Sequence, residues 1–206
     1  MTEPHTSALF STPYWTAETD PTTWWIAKLA ADVTEMLAVD QLGFHRTSGN
    51  QTLAVLQDRT EPHWLEFLGW LAATFEQIIG DTPLRHARCA IRAWALRVDT
   101  DSAAKDIAAG PTRTLTTHNH SPALLTSIFT CELPEEPAPD ALATIFHNPV
   151  FHVNCPWVPR LRPVSPKVGK LIVFPGWVEH SVPITAPLPS GQRRITINAD
   201  YMPDCG

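Results

Sequence analysis

Between Asp20 and Gly80 the apolar positions recur at intervals of three and four, the period of a helix with one buried face. Trp25, Ile26, Leu29, Ala30, Val33, Met36 and Leu37 form one such stripe. Ahead of it, Asp20-Pro21-Thr22-Thr23 offers an N-cap acid with proline at the first helical position. The spacing predicts an amphipathic helix that ends near Ala38. Thr60-Glu61-Pro62 opens a second stripe of Trp64, Phe67, Leu68, Leu71, Phe75, Ile78 and Ile79, and Gly80 closes it. A helix of this pattern covers one face of a sheet. Trp24, Trp25, Trp64 and Trp70 lie in or beside these stripes, which assigns them to core packing rather than to a ligand cage.

From Arg85 onward the period changes from helical to alternating. Short β-branched runs predict strands near 89–99, 112–119, 124–133, 141–147, 159–164, 169–175, 179–185 and 193–201. Turn signals fall at Gly110-Pro111, Pro134 to Asp140, Pro166 to Gly169 and Pro187 to Gly191. Short strands with few helices between them describe a sandwich or a jelly roll, and the jelly roll, a cupin-like double-stranded β-helix, is the expectation because it is the natural host for an H-x-H pair with a distant histidine. The expected fold is therefore mainly β with flanking helices. One domain spans 1–206, with a helical part over 1–85 covering a jelly-roll core over 86–206.

Composition fits this picture and removes some function classes. With 206 residues, 44% of them apolar and 17% charged, the chain can bury one good core. A net charge of −6, with no cluster of Lys or Arg among aromatics, argues against a nucleic-acid partner. The first thirty residues lack a basic segment followed by an apolar one, and no run of eighteen apolar residues occurs. Neither a secretory signal nor a membrane span is expected. Cys89, Cys131, Cys155 and Cys205 are far apart and form no C-x-x-C, so reduced thiols in a cytoplasmic protein are the expectation.

The chemistry is concentrated in four residues of the second half: His118, His120, His180 and Arg194. Side chains at i and i+2 of a strand point to the same face, so His118 and His120 in Thr117-His118-Asn119-His120 can ligate one ion. His180 can complete a facial set from a facing strand and leave open positions, as a mononuclear iron site requires. His5, His45, His63 and His86 read as surface or satisfied core residues. His147 and His152 lie in the barrel region and stay open as site residues, as do Glu179 and Asp200 as weaker ligand candidates. Glu179 should point away from the face of His180.

Longer segments around these residues carry a family likeness. They are Thr117-His118-Asn119-His120-Ser121-Pro122, Leu125 to Phe129, Gly169 to His180 and Arg194-Ile195-Thr196-Ile197-Asn198. Together they resemble the iron(II)/2-oxoglutarate-dependent oxygenases, a hydroxylase family with an H-x-H-P motif and a late F-P-x-W-x-x-H element followed by R-x-S/T. The segment Thr47 to Thr52 is similar to the polar stretch that these proteins carry before their long helix. The resemblance implies Fe(II), 2-oxoglutarate as cosubstrate and O2, with His118, His120 and His180 as metal ligands. Two departures stand out. Where the family tends to read Ser-Gly-Val-Tyr-Tyr, this chain reads Thr126-Ser127-Ile128-Phe129-Thr130, so an aromatic hydroxyl is missing. Where the usual member has a carboxylate two residues after the first histidine, this chain has His120, and the site carries one negative charge fewer.

Arg194 tips the choice towards 2-oxoglutarate. It follows His180 by fourteen residues, and Thr196 shares its face of the strand. A guanidinium clamps a carboxylate through two charge-assisted bonds, and a threonine hydroxyl donates a third. Arg193 should then point outward. The expected substrate is a small or amino-acid-derived molecule, hydroxylated with release of succinate and CO2. Loops at 100–112, 134–140 and 148–158, the last with Trp157, are expected to exclude water. A homodimer stays open. Two other classes use the same residues differently: a cupin-like three-histidine dioxygenase or isomerase without 2-oxoglutarate, and a non-catalytic jelly-roll binding module.

Overall fold

Two antiparallel sheets face each other in the computed structural model, which describes residues 5–9, 12–38, 43–46, 49–53, 55–80, 82, 88–100, 115–135, 142–149, 159–184 and 188–203. In chain order the elements are β1 (His5–Leu9), β2 (Thr12–Glu18), α1 (Trp24–Ala38), β3 (Gly43–Arg46), β4 (Gly49–Thr52), α2 (Pro62–Gly80), β5 (Cys89–Asp99) and β6 (Leu115–His118). They continue with β7 (Leu125–Glu132), β8 (Thr144–His147), β9 (Leu161–Val164), β10 (Lys170–Pro175), β11 (His180–Val182) and β12 (Arg193–Pro203). The larger sheet runs β1-β2-β10-β7-β12-β5-β4-β3, and the smaller β6-β11-β8-β9. This is the expected jelly roll, with helices over the larger sheet.

The central strand β12 shows how one sequence serves two faces. Ile195, Ile197, Ala199 and Tyr201 turn towards the helices, where they join Trp25, Leu29, Trp64, Phe67, Leu71 and Phe75 in the main core. Arg194, Thr196, Asn198 and Asp200 turn the other way, into the space between the sheets. Alternation along a pleated strand produces both sets at once. On the inter-sheet side, Tyr14, Ile128, Phe146, Val164, Ile172, Phe174 and Val178 form one apolar cluster. Leu96, Val98, Leu142, Ile184 and Leu188 form another. A cavity lined by both polar and apolar side chains shares the inter-sheet space with them.

Several expectations are corrected here. The front part is not only helical: β1 and β2 extend one edge of the larger sheet, and β3 and β4 extend the other. Pro13 within β2 weakens any strand signal, and proline is tolerated there because β2 lies near the sheet edge. The first helix begins at Trp24 rather than at Pro21. Asp20 instead makes a local turn, its Oδ1 accepting from the Thr22 N–H at 2.8 Å and from the Thr22 hydroxyl at 2.7 Å. Trp24 is 47% exposed and packs edge-on to His63 instead of entering the core, whereas Trp25 and Trp64 are buried. Strand β6 ends at His118 rather than at residue 119, and residues 112–114 of the expected strand lie outside those described.

Polar contacts tie the helices together and fix the turns. His63 Nε2–H donates to Asp32 Oδ2 at 2.7 Å, and Trp64 Nε1–H donates to the same oxygen at 2.9 Å. His63 is thus a satisfied structural residue, as its sequence context suggested. Gly169 adopts φ 81° in the turn before β10, and a Cβ there would stand 2.5 Å from the Thr19 carbonyl oxygen. Only glycine fits that backbone and that approach.

Candidate metal and cosubstrate site

Strands β6 and β11 bring the first two histidines together, because His118 and His180 are direct cross-strand partners. Their ring centroids lie 4.5 Å apart. His120 arrives differently from the expectation. It stands beyond the end of β6, so strand alternation does not place it. Ser121-Pro122 ends the pairing, and the chain turns: the His120 N–H donates to the Gly176 carbonyl at 2.7 Å, and its own carbonyl accepts from the Ala123 N–H at 2.8 Å. This docks His120 against the segment that leads to His180. A Cβ on Gly176 would stand 2.3 Å from the Ala123 carbonyl oxygen, so the close approach of the two segments needs glycine.

One ligating atom from each of His118, His120 and His180 lies within 4.8 Å of the others, the one such cluster among the described residues. Second bonds orient the rings. His120 Nδ1–H donates to Asp200 Oδ1 at 2.8 Å, and His180 Nδ1–H donates to the Val178 carbonyl at 3.3 Å. Each bond occupies Nδ1 and leaves Nε2 with a free lone pair, the arrangement that metal-binding imidazoles use. Burial, together with neighbouring His118 and His120, pushes His180 well below the usual histidine value, so its ring is neutral, as a ligand must be. The donor set fits a divalent transition metal such as iron, nickel, copper or zinc, and three imidazole ligands add no negative charge.

A cavity of about 410 Å³ opens beside the histidines, and Arg194 and Thr196 line it with them. Arg194 is 2% exposed, and its Nε is buried without a hydrogen-bond partner. Desolvation lowers its guanidinium from the ordinary arginine value to about 10. A charge held this way, facing a cavity, calls for an anion. Arg193, next in sequence, points outward and pairs with Glu132 at 2.8 Å. Thr130 is buried cross-strand from Thr196.

Two site neighbours were not singled out for the roles they have. Trp94 on β5 stacks on His120 at 5.4 Å and 16° and lines the cavity. Its alternation with Ala93 and Ala95 gave a face but not a partner, because the pairing of β5 with β12 is a tertiary fact. Asp200 lies outside the histidine cluster and orients His120 instead; its spacing from Arg194, Thr196 and Asn198 by twos was the available signal. Glu179 is exposed and outside the cluster. His147 lies outside it too: its Nε2 bonds the Ser181 and Thr117 hydroxyls at 2.9 and 3.3 Å. His152, Trp157 and most of the three loops expected to exclude water lie outside the described residues.

No protein-family model matches the sequence, and no curated protein does. Solved structures do match the fold. A prolyl-4-hydroxylase of Pseudomonas putida superposes with TM-score 0.60 at 12% identity, over 92% of each chain. The non-heme α-ketoglutarate-dependent epimerase SnoN of nogalamycin biosynthesis gives TM-score 0.60 at 13% identity, over 92% of this chain and 77% of that one. HygX of Streptomyces hygroscopicus, with nickel and 2-oxoglutarate bound, gives 0.58 at 13% identity, over 94% of this chain and 84% of that one. The chain therefore has the jelly-roll fold found in 2-oxoglutarate- and iron-dependent oxygenases.

Proposed function

We propose that the protein is an Fe(II)/2-oxoglutarate-dependent oxygenase that hydroxylates an unactivated C–H bond of a small or amino-acid-derived substrate. The overall change is R–H + 2-oxoglutarate + O2 → R–OH + succinate + CO2. The observation that carries the reading is the pairing, in one cavity, of three converging histidines with a buried, unpartnered Arg194. Bound iron would supply the oxygen activation that C–H oxidation needs.

The chain's own residues then have distinct tasks. His118, His120 and His180 would hold the metal through Nε2, with Asp200 and the Val178 carbonyl fixing the two rings whose Nδ1 they occupy. Arg194 and Thr196 would hold the distal carboxylate of 2-oxoglutarate. Arg194 loses little on binding because its solvation is already gone. Asp200 also returns negative charge to a ligand set that has no carboxylate, since a histidine bonded to a carboxylate is a stronger donor. Trp94 packs over His120 and limits water on that side.

The three-histidine set also suits a cupin-like dioxygenase that binds substrate directly, but that reading leaves Arg194 without an anion. The test is a stoichiometric one: protein with Fe(II), 2-oxoglutarate and O2 should form succinate, at a slow rate without substrate and faster with it. Oxygen uptake without succinate would replace this reading by the cupin-like one. No oxygen uptake and no metal binding would leave a binding module.

A further inference from the structure

We propose that the substrate carries an oxyacid anion, bound by Arg92 at the mouth of the cavity, with Trp94 and Met202 flanking the body that links it to the reacting carbon. This inference rests on the oxygenase reading and adds the class of substrate to it. Arg92 lies on β5 and lines the same cavity as the three histidines. Unlike Arg194 it is exposed, which places it where the cavity meets solvent. Among the described residues it makes no ion pair and no side-chain hydrogen bond.

The sheet register makes that freedom informative. The cross-strand partner of Arg92 is Asp200, and opposite charges facing each other on neighbouring strands ordinarily pair. Here the Asp200 carboxylate instead accepts the His120 Nδ1–H at 2.8 Å. Asp200 thus turns its Oδ1 to the metal site and forms no ion pair with Arg92, which leaves the guanidinium open to a ligand.

Arg92 cannot share the anion of Arg194. Arg194 pairs with Val98, whereas Arg92 pairs with Asp200, six residues further along β12. At the usual strand rise the two positions are roughly 20 Å apart along the sheet. A short dicarboxylate clamped at Arg194 leaves Arg92 for a second molecule. Two guanidiniums against one committed carboxylate give the cavity a positive field, which draws anions inward. The planar fork of arginine fits a carboxylate or a phosphate through two parallel bonds. Trp94, half-buried with one ring face on His120, and Met202 offer apolar surface beside it.

The probes are 3-phenylpropanoate, 3-phenylpropyl phosphate and, without charge, 3-phenylpropanamide. Each is titrated into protein loaded with Zn(II) and saturating 2-oxoglutarate, with binding followed by the indole 15N–1H resonance of Trp94, assigned with Trp94→Phe. At least one acid should bind about fivefold more tightly than the amide, the upper end for a charge-assisted pair at an exposed arginine. Comparison of the two acids tells carboxylate from phosphate. Arg92→Gln should bring the acids to the affinity of the amide and leave the amide and 2-oxoglutarate affinities unchanged. Equal binding of acids and amide in the wild type, or an acid preference that survives Arg92→Gln, overturns the proposal. So does a loss of 2-oxoglutarate affinity in Arg92→Gln, which would give Arg92 to the cosubstrate. Wild-type binding of 2-oxoglutarate, measured in the same samples, tests the oxygenase reading separately.

Discussion

Replacing Arg194 by methionine should make the ligand-free protein more stable while it removes 2-oxoglutarate binding. Arg194 is 2% exposed, and its Nε has no partner. Burial lowers its guanidinium to about 10, which corresponds to roughly 3 kcal/mol against the charged form. Methionine fills much of the same volume without that cost, and apolar replacements of buried, poorly compensated charges often stabilise by about 1–4 kcal/mol. Taking about 2 kcal/mol as the expectation, a chain of this size should gain roughly 4–8 °C in Tm. Adding 2-oxoglutarate and metal should raise the wild-type Tm and leave that of Arg194→Met unmoved by the 2-oxoglutarate. Arg194→Ala should lose about 2–5 kcal/mol of cosubstrate affinity. Differential scanning calorimetry at several 2-oxoglutarate concentrations reads both effects. A methionine variant less stable than wild type would show that Arg194 is compensated in the free protein. A retained 2-oxoglutarate shift would show that the anion binds elsewhere. Either result refutes the reasoning.

Three further outcomes follow from the same structure. Asp200→Asn should weaken metal binding by about 10- to 100-fold, as loss of a carboxylate behind a metal-bound histidine does, measured by competition with a chelating dye; unchanged affinity would detach Asp200 from the site. Gly176→Ala pushes a Cβ to 2.3 Å from the Ala123 carbonyl, so it should cost about 1–3 kcal/mol in urea unfolding and lower metal affinity by separating His120 from His180; a silent substitution would mean that the two segments yield freely. Asp32→Ala strips an acceptor from His63 and Trp64 and should cost about 1–3 kcal/mol at neutral pH. Burial would raise the Asp32 carboxyl, but hydrogen bonds from His63 and Trp64, together with the charges of His63 and Arg59, outweigh it and hold the group below its ordinary 3.8. Its contribution is therefore complete above 3.8 and is lost as pH falls through the lower folded value, so wild type and variant should converge in acid unfolding.

The jelly roll was legible because its signals are local. The change from helical to alternating period near Arg85 separates α2 from β5, and turn residues such as Gly169 and Gly191 stand where the chain reverses. The edge strands β1 to β4 were not legible, since short polar or proline-containing segments become strands only when an existing sheet edge offers them partners. The same division runs through the site. Arg194 and Thr196 share a strand, and alternation alone puts them on one face with Arg193 on the other. His120 joins the cluster by a route that the expectation did not include: a turn against Gly176, not strand alternation, carries it to His118 and His180. Trp94 and the part Asp200 plays depend on which strands lie side by side, which no local pattern records.

The most direct test of the central claim is the visible absorption of anaerobic protein on successive addition of Fe(II) and 2-oxoglutarate. A 2-oxoacid chelating iron gives a charge-transfer band that iron in the protein alone lacks. The band should form with one equivalent of iron, disappear in His180→Ala and weaken strongly in Arg194→Ala. Stoichiometric iron binding with no band at saturating 2-oxoglutarate would contradict it.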